Sequence, residues 1–221
     1  MGTRGLDPVA RARYNVRVYG PNPLARGKRQ VIRYQIPFLL VITVLASRVM
    51  ARAQDLRFDS FSRGQREVSI LIGYGQNHRF PEANKDLFSF QVIKARYGYF
   101  NSPKTEAAVD LSYQRANASP ESFAVLGTIS YRYYFFVKGN TSAGADLGFG
   151  IARLDNTISS LGTKTNFTEQ LGLCFHHTIG PTSAITVEYK FSHTSNAGMK
   201  LPNIGVNASL ISVGLSYYPR R

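Results

Sequence analysis

A histidine and a serine stand two residues apart in the stretch Phe191-Ser192-His193-Thr194-Ser195-Asn196-Ala197-Gly198. In an extended chain residues i and i+2 share a face, with Cα atoms about 6–7 Å apart, so an imidazole at 193 can lean onto a hydroxyl at 195. That pair is the minimum for an activated nucleophile: the imidazole takes the proton and the serine oxygen attacks a carbonyl carbon. The Asn196 amide and a backbone N–H at Gly198, where no Cβ blocks approach, offer donors for the resulting oxyanion.

The elements that must hold these residues are strands. Nearly every apolar cluster after residue 54 has period two. Val68, Ile70, Ile72 and Tyr74 form one face, and Ala107, Val109, Leu111 and Tyr113 another. Ile129, Tyr131, Tyr133, Phe135 and Val137 alternate with Ser130, Arg132 and Tyr134, and Ala145, Leu147, Phe149 and Ile151 with Asp146, Gly148 and Gly150. Phe167, Leu171, Leu173 and Phe175 oppose Thr168, Gln170, Gly172 and Cys174; Ile185, Val187, Tyr189 and Phe191 precede His193; Ile211, Val213, Leu215 and Tyr217 close the chain. With the less regular apolar stretch 87–100, the pattern predicts eight strands.

Connections 76–86, 115–122, 154–166 and 196–207 are long and polar, whereas 101–106, 138–142 and 180–183 are short. Long loops on one side and short turns on the other predict an all-β fold: an eight-stranded antiparallel transmembrane β-barrel. A soluble eight-stranded barrel has the same alternation but turns its apolar residues inward to a ligand. Membrane insertion is favoured by Asp110, Arg132, Asp146, Glu188 and Lys190 on the opposite faces, and by 13 Tyr and 14 Phe, many of them at strand ends.

Charge and targeting agree. The chain carries 27 Lys+Arg against 13 Asp+Glu, but ten of those bases and one acid, Asp7, lie in 1–53, which leaves 17 and 12 in 54–221. The basic excess therefore belongs to the N-terminal extension, and nucleic acid is excluded as a partner. A basic region followed by the apolar run 36–47 and Ala51-Arg52-Ala53 predicts a signal peptide cleaved after Ala53, with 54–221 as the barrel. The twelve-residue run is shorter than the roughly 20 that a spanning helix needs. With one cysteine, Cys174, no disulfide forms within the chain.

Parity now places the pair. Ile185, Val187, Tyr189, Phe191, His193 and Ser195 share the lipid-facing side of one strand, while Thr186, Glu188, Lys190, Ser192 and Thr194 face the lumen. Polar groups toward lipid are unfavourable unless they lie at headgroup level or have a task. The substrate expected for an activated serine there is an ester in the outer leaflet; a histidine and serine that merely hydrogen-bond headgroups fit the same spacing.

The segment His193-Thr194-Ser195-Asn196-Ala197-Gly198, with Lys200, Pro202, Asn203 and Gly205 following, resembles the lipid A 3-O-deacylase family of outer-membrane enzymes. That resemblance implies an eight-stranded barrel that hydrolyses the acyl ester at position 3 of lipid A, with a Ser-His-Glu triad and neither metal nor cofactor. It implies Ser195 as nucleophile, His193 as base, and Asn196 with Gly198 at the oxyanion; Lys200 on the loop suits a lipid A phosphate. The implied partners are lipopolysaccharide of the outer leaflet and the outer membrane, with a homodimer left open. One departure stands out: the family's glutamate, fourteen residues after the histidine, is here Asn207, and no acid follows Glu188. An amide orients imidazole but gives imidazolium no full negative charge. A slower enzyme or an acid from elsewhere is expected, with Glu121 and Asp155 as candidates.

Two alternatives remain open on sequence alone: a non-catalytic small outer-membrane barrel of structural or adhesin type, in which His193, Ser195 and Asn207 need not converge, and a soluble lipid-binding barrel. His176 and His177 are adjacent, so on a strand they point to opposite faces and predict no metal site. His78 is expected to be solvated in the first long loop, Cys174 to pack inside, and Ser192 to face away from His193.

Overall fold

The computed structural model describes residues 61–79, 87–118 and 121–219. The expected extension and signal peptide, 1–53, lie outside the described residues. Eight strands follow one another: β1 (Arg66–His78), β2 (Ser89–Ser102), β3 (Thr105–Ala116), β4 (Ser122–Lys138), β5 (Thr141–Leu154), β6 (Thr165–Gly180), β7 (Ser183–Ser195) and β8 (Val206–Tyr217). Each pairs antiparallel with its neighbours in sequence, and β8 pairs with β1 to close the barrel. Closure leaves no open sheet edge, which a lipid environment requires.

The strands run further toward the turn side than the pattern predicts. Residues 103–104, 139–140 and 181–182 are the whole of the three short connections. The strands reach these turns through register shifts at Phe100/Ser102, Tyr134/Phe136 and Thr178/Gly180, each an extra residue that breaks the expected alternation. The other side carries the connections 79–88, 117–121, 155–164 and 196–205.

The two faces divide as the membrane reading requires. Ile70, Ile129 and Leu215 are 64%, 70% and 60% exposed, while Arg132 on the other face is 0% exposed. A soluble ligand-binding barrel has the reverse arrangement. Tyr97, Tyr99, Tyr131, Tyr133 and Tyr217 lie outward toward the turn end, and Tyr74, Tyr113, Tyr189 and Phe167 toward the loop end, the two interfacial levels where aromatic rings reside.

The lumen is filled. Arg132 sits among Glu106, Asp146 and Glu188, with Nη1 3.4 Å from Glu106 and Nη2 3.1 Å and 2.6 Å from Asp146 and Glu188. Arg96 bonds Asp110 at 3.1 Å, Lys190 reaches Asp110 at 3.5 Å and Asp146 at 3.4 Å, and Lys94 pairs with Glu188. Buried charges persist where they are paired and hydrogen-bonded. Phe61, Phe100, Tyr134, Cys174 and Tyr218 close the lumen below this network, and Phe90, Leu126, Leu154, Leu161 and Val206 above it. The cavity left in the upper cluster measures about 60 Å³. No aqueous channel runs through the described residues.

Candidate active site on the outward wall

β7 buries Ala184, Thr186, Glu188 and Lys190 and turns Val187, Tyr189 and Phe191 outward. The alternation carries His193 and Ser195 outward at the loop end of the strand, both half-buried. In the β7–β8 register His193 faces Asn207. The imidazole Nδ1 donates to Asn207 Oδ1 at 2.7 Å. Because that oxygen only accepts, the proton is on Nδ1 and the lone pair on Nε2, the tautomer a proton acceptor needs.

Gly205 fixes the other side of the ring. Its φ is +83°, and a Cβ there would lie 2.6 Å from His193 Cε1 and 3.3 Å from Nε2. The position therefore requires glycine twice, for backbone conformation and for the imidazole lying against it.

The loop 196–205 is held by Asn196, which is fully buried. Its Nδ2 donates to the carbonyls of Leu161 at 2.7 Å and Lys200 at 2.6 Å, and its backbone N–H donates to Asn203 Oδ1 at 2.9 Å. This corrects one expectation: with both amide hydrogens engaged by carbonyls, the Asn196 side chain clamps the loop and has no hydrogen to offer an oxyanion. Gly198, at φ +79°, is exposed, as is Lys200. The loop also leans on the preceding one. Ile204 and Gly205 donate their N–H groups to the Ser160 carbonyl at 3.0 Å and 3.2 Å, and a Cβ on Gly162 would lie 2.4 Å from the Pro202 oxygen.

Asn196→Ala removes two hydrogen bonds to main-chain carbonyls, of which the one to Leu161 is buried and would cost about 1–3 kcal/mol if left unsatisfied. Limited trypsin digestion should then cut after Lys200 much faster than in the parent, while the strands stay protected. Equal cutting rates would mean the clamp is dispensable.

Several neighbours of the pair escaped sequence reasoning. His78 is the last residue of β1, not part of a loop; it faces Asn207 across the β1–β8 seam and shares a 2.8 Å hydrogen bond with Ser209. Tyr189 reaches the same hydroxyl at 2.9 Å, and the His78 ring stacks on Phe191 at 6.3 Å. On the other side Glu169, outward and exposed on β6, faces His193 in the β6–β7 register. Odd parity beside Phe167 and Leu171 was the signal that marked Glu169.

The two acids expected to stand in for the missing glutamate do other work. Glu121 pairs with Arg115. Asp155 accepts the Phe123 N–H at 2.7 Å and the Ser122 hydroxyl at 3.0 Å, and the Phe123 bond, with smaller help from Ser122 and Asn156, holds its carboxyl below the usual carboxylate range. Both are tied to the ends of β3 and β4, away from β7.

Among the described residues no cluster of three or more His, Cys, Asp or Glu side chains can hold a metal. His176 is buried inside, 2.9 Å from Thr186 Oγ1 and 3.1 Å from Arg132, and His177 lies on the other face beside Thr141. Cys174 is buried in the lower aromatic cluster, and Ser192 points toward the cavity in the upper lumen.

The family model described as lipid A 3-O-deacylase (PagL) matches residues 88–216. Among solved structures, the chain is similar to the outer membrane enzyme PagL, at 16% identity and a TM-score of 0.50, over 70% of this chain and 99% of that one. It is also similar to Neisserial surface protein A (NspA), at 14% identity and a TM-score of 0.52, over 69% of this chain and 96% of that one. Identities this low bear on the fold alone. No curated protein matches the chain.

Proposed function

Because the chain belongs to the lipid A 3-O-deacylase family of bacterial outer-membrane β-barrels, we propose that it is a serine esterase that removes the acyl chain ester-linked at position 3 of lipid A. The observation that supports this most directly is the 2.7 Å bond from His193 Nδ1 to Asn207, which leaves Nε2 as the base on the same face as Ser195.

In this reading Ser195 Oγ attacks the ester carbonyl carbon and its proton passes to His193 Nε2. The tetrahedral oxyanion is met by backbone N–H groups at the Gly198 turn. As the intermediate collapses, the bond to the sugar oxygen breaks, and that oxygen takes the proton from His193. A water then attacks the acyl-serine, again giving its proton to His193, and the free 3-hydroxy fatty acid leaves as Ser195 regains its hydrogen. Lys200, exposed on the loop that follows Ser195, is suited to meet a phosphate of the glucosamine backbone. No cofactor enters any step.

Mass spectrometry of lipid A incubated with the detergent-purified protein tests the reading. Loss of a single 3-hydroxyacyl group is the expected result, and Asn207→Glu should keep that activity, because a carboxylate at 207 also accepts from the imidazole. Lipid A of unchanged mass with both proteins would overturn the assignment in favour of a non-catalytic barrel, the reading that Asn207 by itself favours.

A further inference from the structure

We propose that Glu169 supplies the negative charge that stabilises the His193 imidazolium, a task Asn207 cannot perform. This rests on the esterase reading of the same site and moves the acid of the triad from the C-terminal neighbour of β7 to the N-terminal one.

The first support is placement. Every strand carboxylate but one, namely Glu67, Glu106, Asp110, Asp146 and Glu188, is buried in the lumen. Among the described residues Glu169 is the one strand carboxylate on the outward face. It stands in an apolar stripe between Phe167 and Leu171, where a charge toward lipid is unfavourable unless it is at headgroup level or has a task. The residue it faces is His193.

The second support is division of labour. Directly paired residues on one face have Cβ atoms about 4.5–5.5 Å apart, within reach of a glutamate with two methylenes. Nδ1 is already engaged with Asn207, so the carboxylate acts as a charge beside the ring and not as its hydrogen-bond acceptor. A carboxylate brought to within about 4–6 Å of the ring favours imidazolium, more so near the bilayer than in water. Asn207 orients and Glu169 stabilises, two roles that one glutamate at 207 would combine. Glu169 is thus a positioning residue that acts through His193. Among the described residues, the ionisable groups on the adjoining elements include His78 at the end of β1, Tyr189 on β7 and Lys200 on the 196–205 loop, and none of these three is an acid.

The test is a cycle of four proteins: parent, Glu169→Gln, Asn207→Glu and the double variant, each checked for heat-modifiable gel migration and assayed for acyl release from lipid A. Glu169→Gln should lower kcat about 10–100-fold with KM nearly unchanged. In the Asn207→Glu background the same change should cost less than about threefold, because the charge is already present. Glu169→Asp should keep most of the activity. An unchanged kcat in Glu169→Gln, or an equal loss in both backgrounds, overturns the inference and leaves the esterase standing. Labelling of Ser195 by a fluorophosphonate is run in parallel. Parent protein that labels but leaves lipid A intact defeats the substrate assignment only, and the cycle is then read from labelling rates. Parent protein that neither labels nor turns over lipid A defeats both.

Discussion

Ser195→Ala should give a barrel that folds normally and releases no measurable 3-hydroxy fatty acid. The side chain lies at the outer end of β7, half-buried and facing Phe167 in the register. Loss of its oxygen therefore opens no cavity in the lumen, and a surface change of this kind moves stability by about 0.5 kcal/mol or less. Catalysis has no such tolerance. Removing the nucleophile of a serine esterase lowers kcat by at least about 10³-fold, since the remaining groups have nothing with which to form the acyl intermediate. The measurement is fatty acid release by purified protein, normalised to the heat-modifiable fraction. Ser209→Ala is the essential comparison, because Ser209 is the hydroxyl bonded to His78. Full activity in Ser195→Ala with loss in Ser209→Ala would move the nucleophile to β8.

The second large effect is structural. Arg132→Ala should destabilise the barrel by about 3–5 kcal/mol, the cost of leaving buried partners without their counter-charge. One guanidinium serves Glu106, Asp146 and Glu188 together, and all four groups are buried. Lys94 and Lys190 remain for Glu188 and Asp146, whereas Glu106 would keep Arg96, 3.5 Å away, and the Tyr134 hydroxyl at 3.1 Å, and Glu67 would lose the guanidinium 3.8 Å away. A urea titration followed by heat-modifiable migration measures the shift. Arg132→Lys should recover part of it, as a point charge replaces a fork that bonds several carboxylates. An unchanged midpoint for Arg132→Ala would mean that water replaces the guanidinium at no cost, so that the network has little part in holding the wall together.

How far the sequence carried depended on the rule involved. Parity along β7 located His193 and Ser195 on the outward face, because a strand gives each side chain one of two directions. The resemblance to the deacylase family implied a partner at position 207, which the β7–β8 register places opposite the imidazole. What period two cannot give is which strands adjoin at which height. Glu169 and His193 are 24 positions apart in the chain, so their pairing depends on the β6–β7 register and on the two-residue turn that sets it. The Asn196 clamp was illegible for another reason. Its acceptors are main-chain carbonyls at 161 and 200, and main-chain geometry in a loop leaves no mark in residue type. The sequence places His78 in the first long loop because polar residues near a strand end look alike whether the ladder stops at 75 or continues to 78.

The packed lumen has a consequence for how such an enzyme meets its substrate. With no passage through the described residues and His193 and Ser195 on the outward face, the esterase reading requires that the ester arrive by sliding sideways within the leaflet. Turnover should therefore follow the mole fraction of lipid A among the amphiphiles that surround the protein. Diluting the substrate with inert detergent at constant total lipid A should slow the reaction, whereas diluting everything with buffer should not.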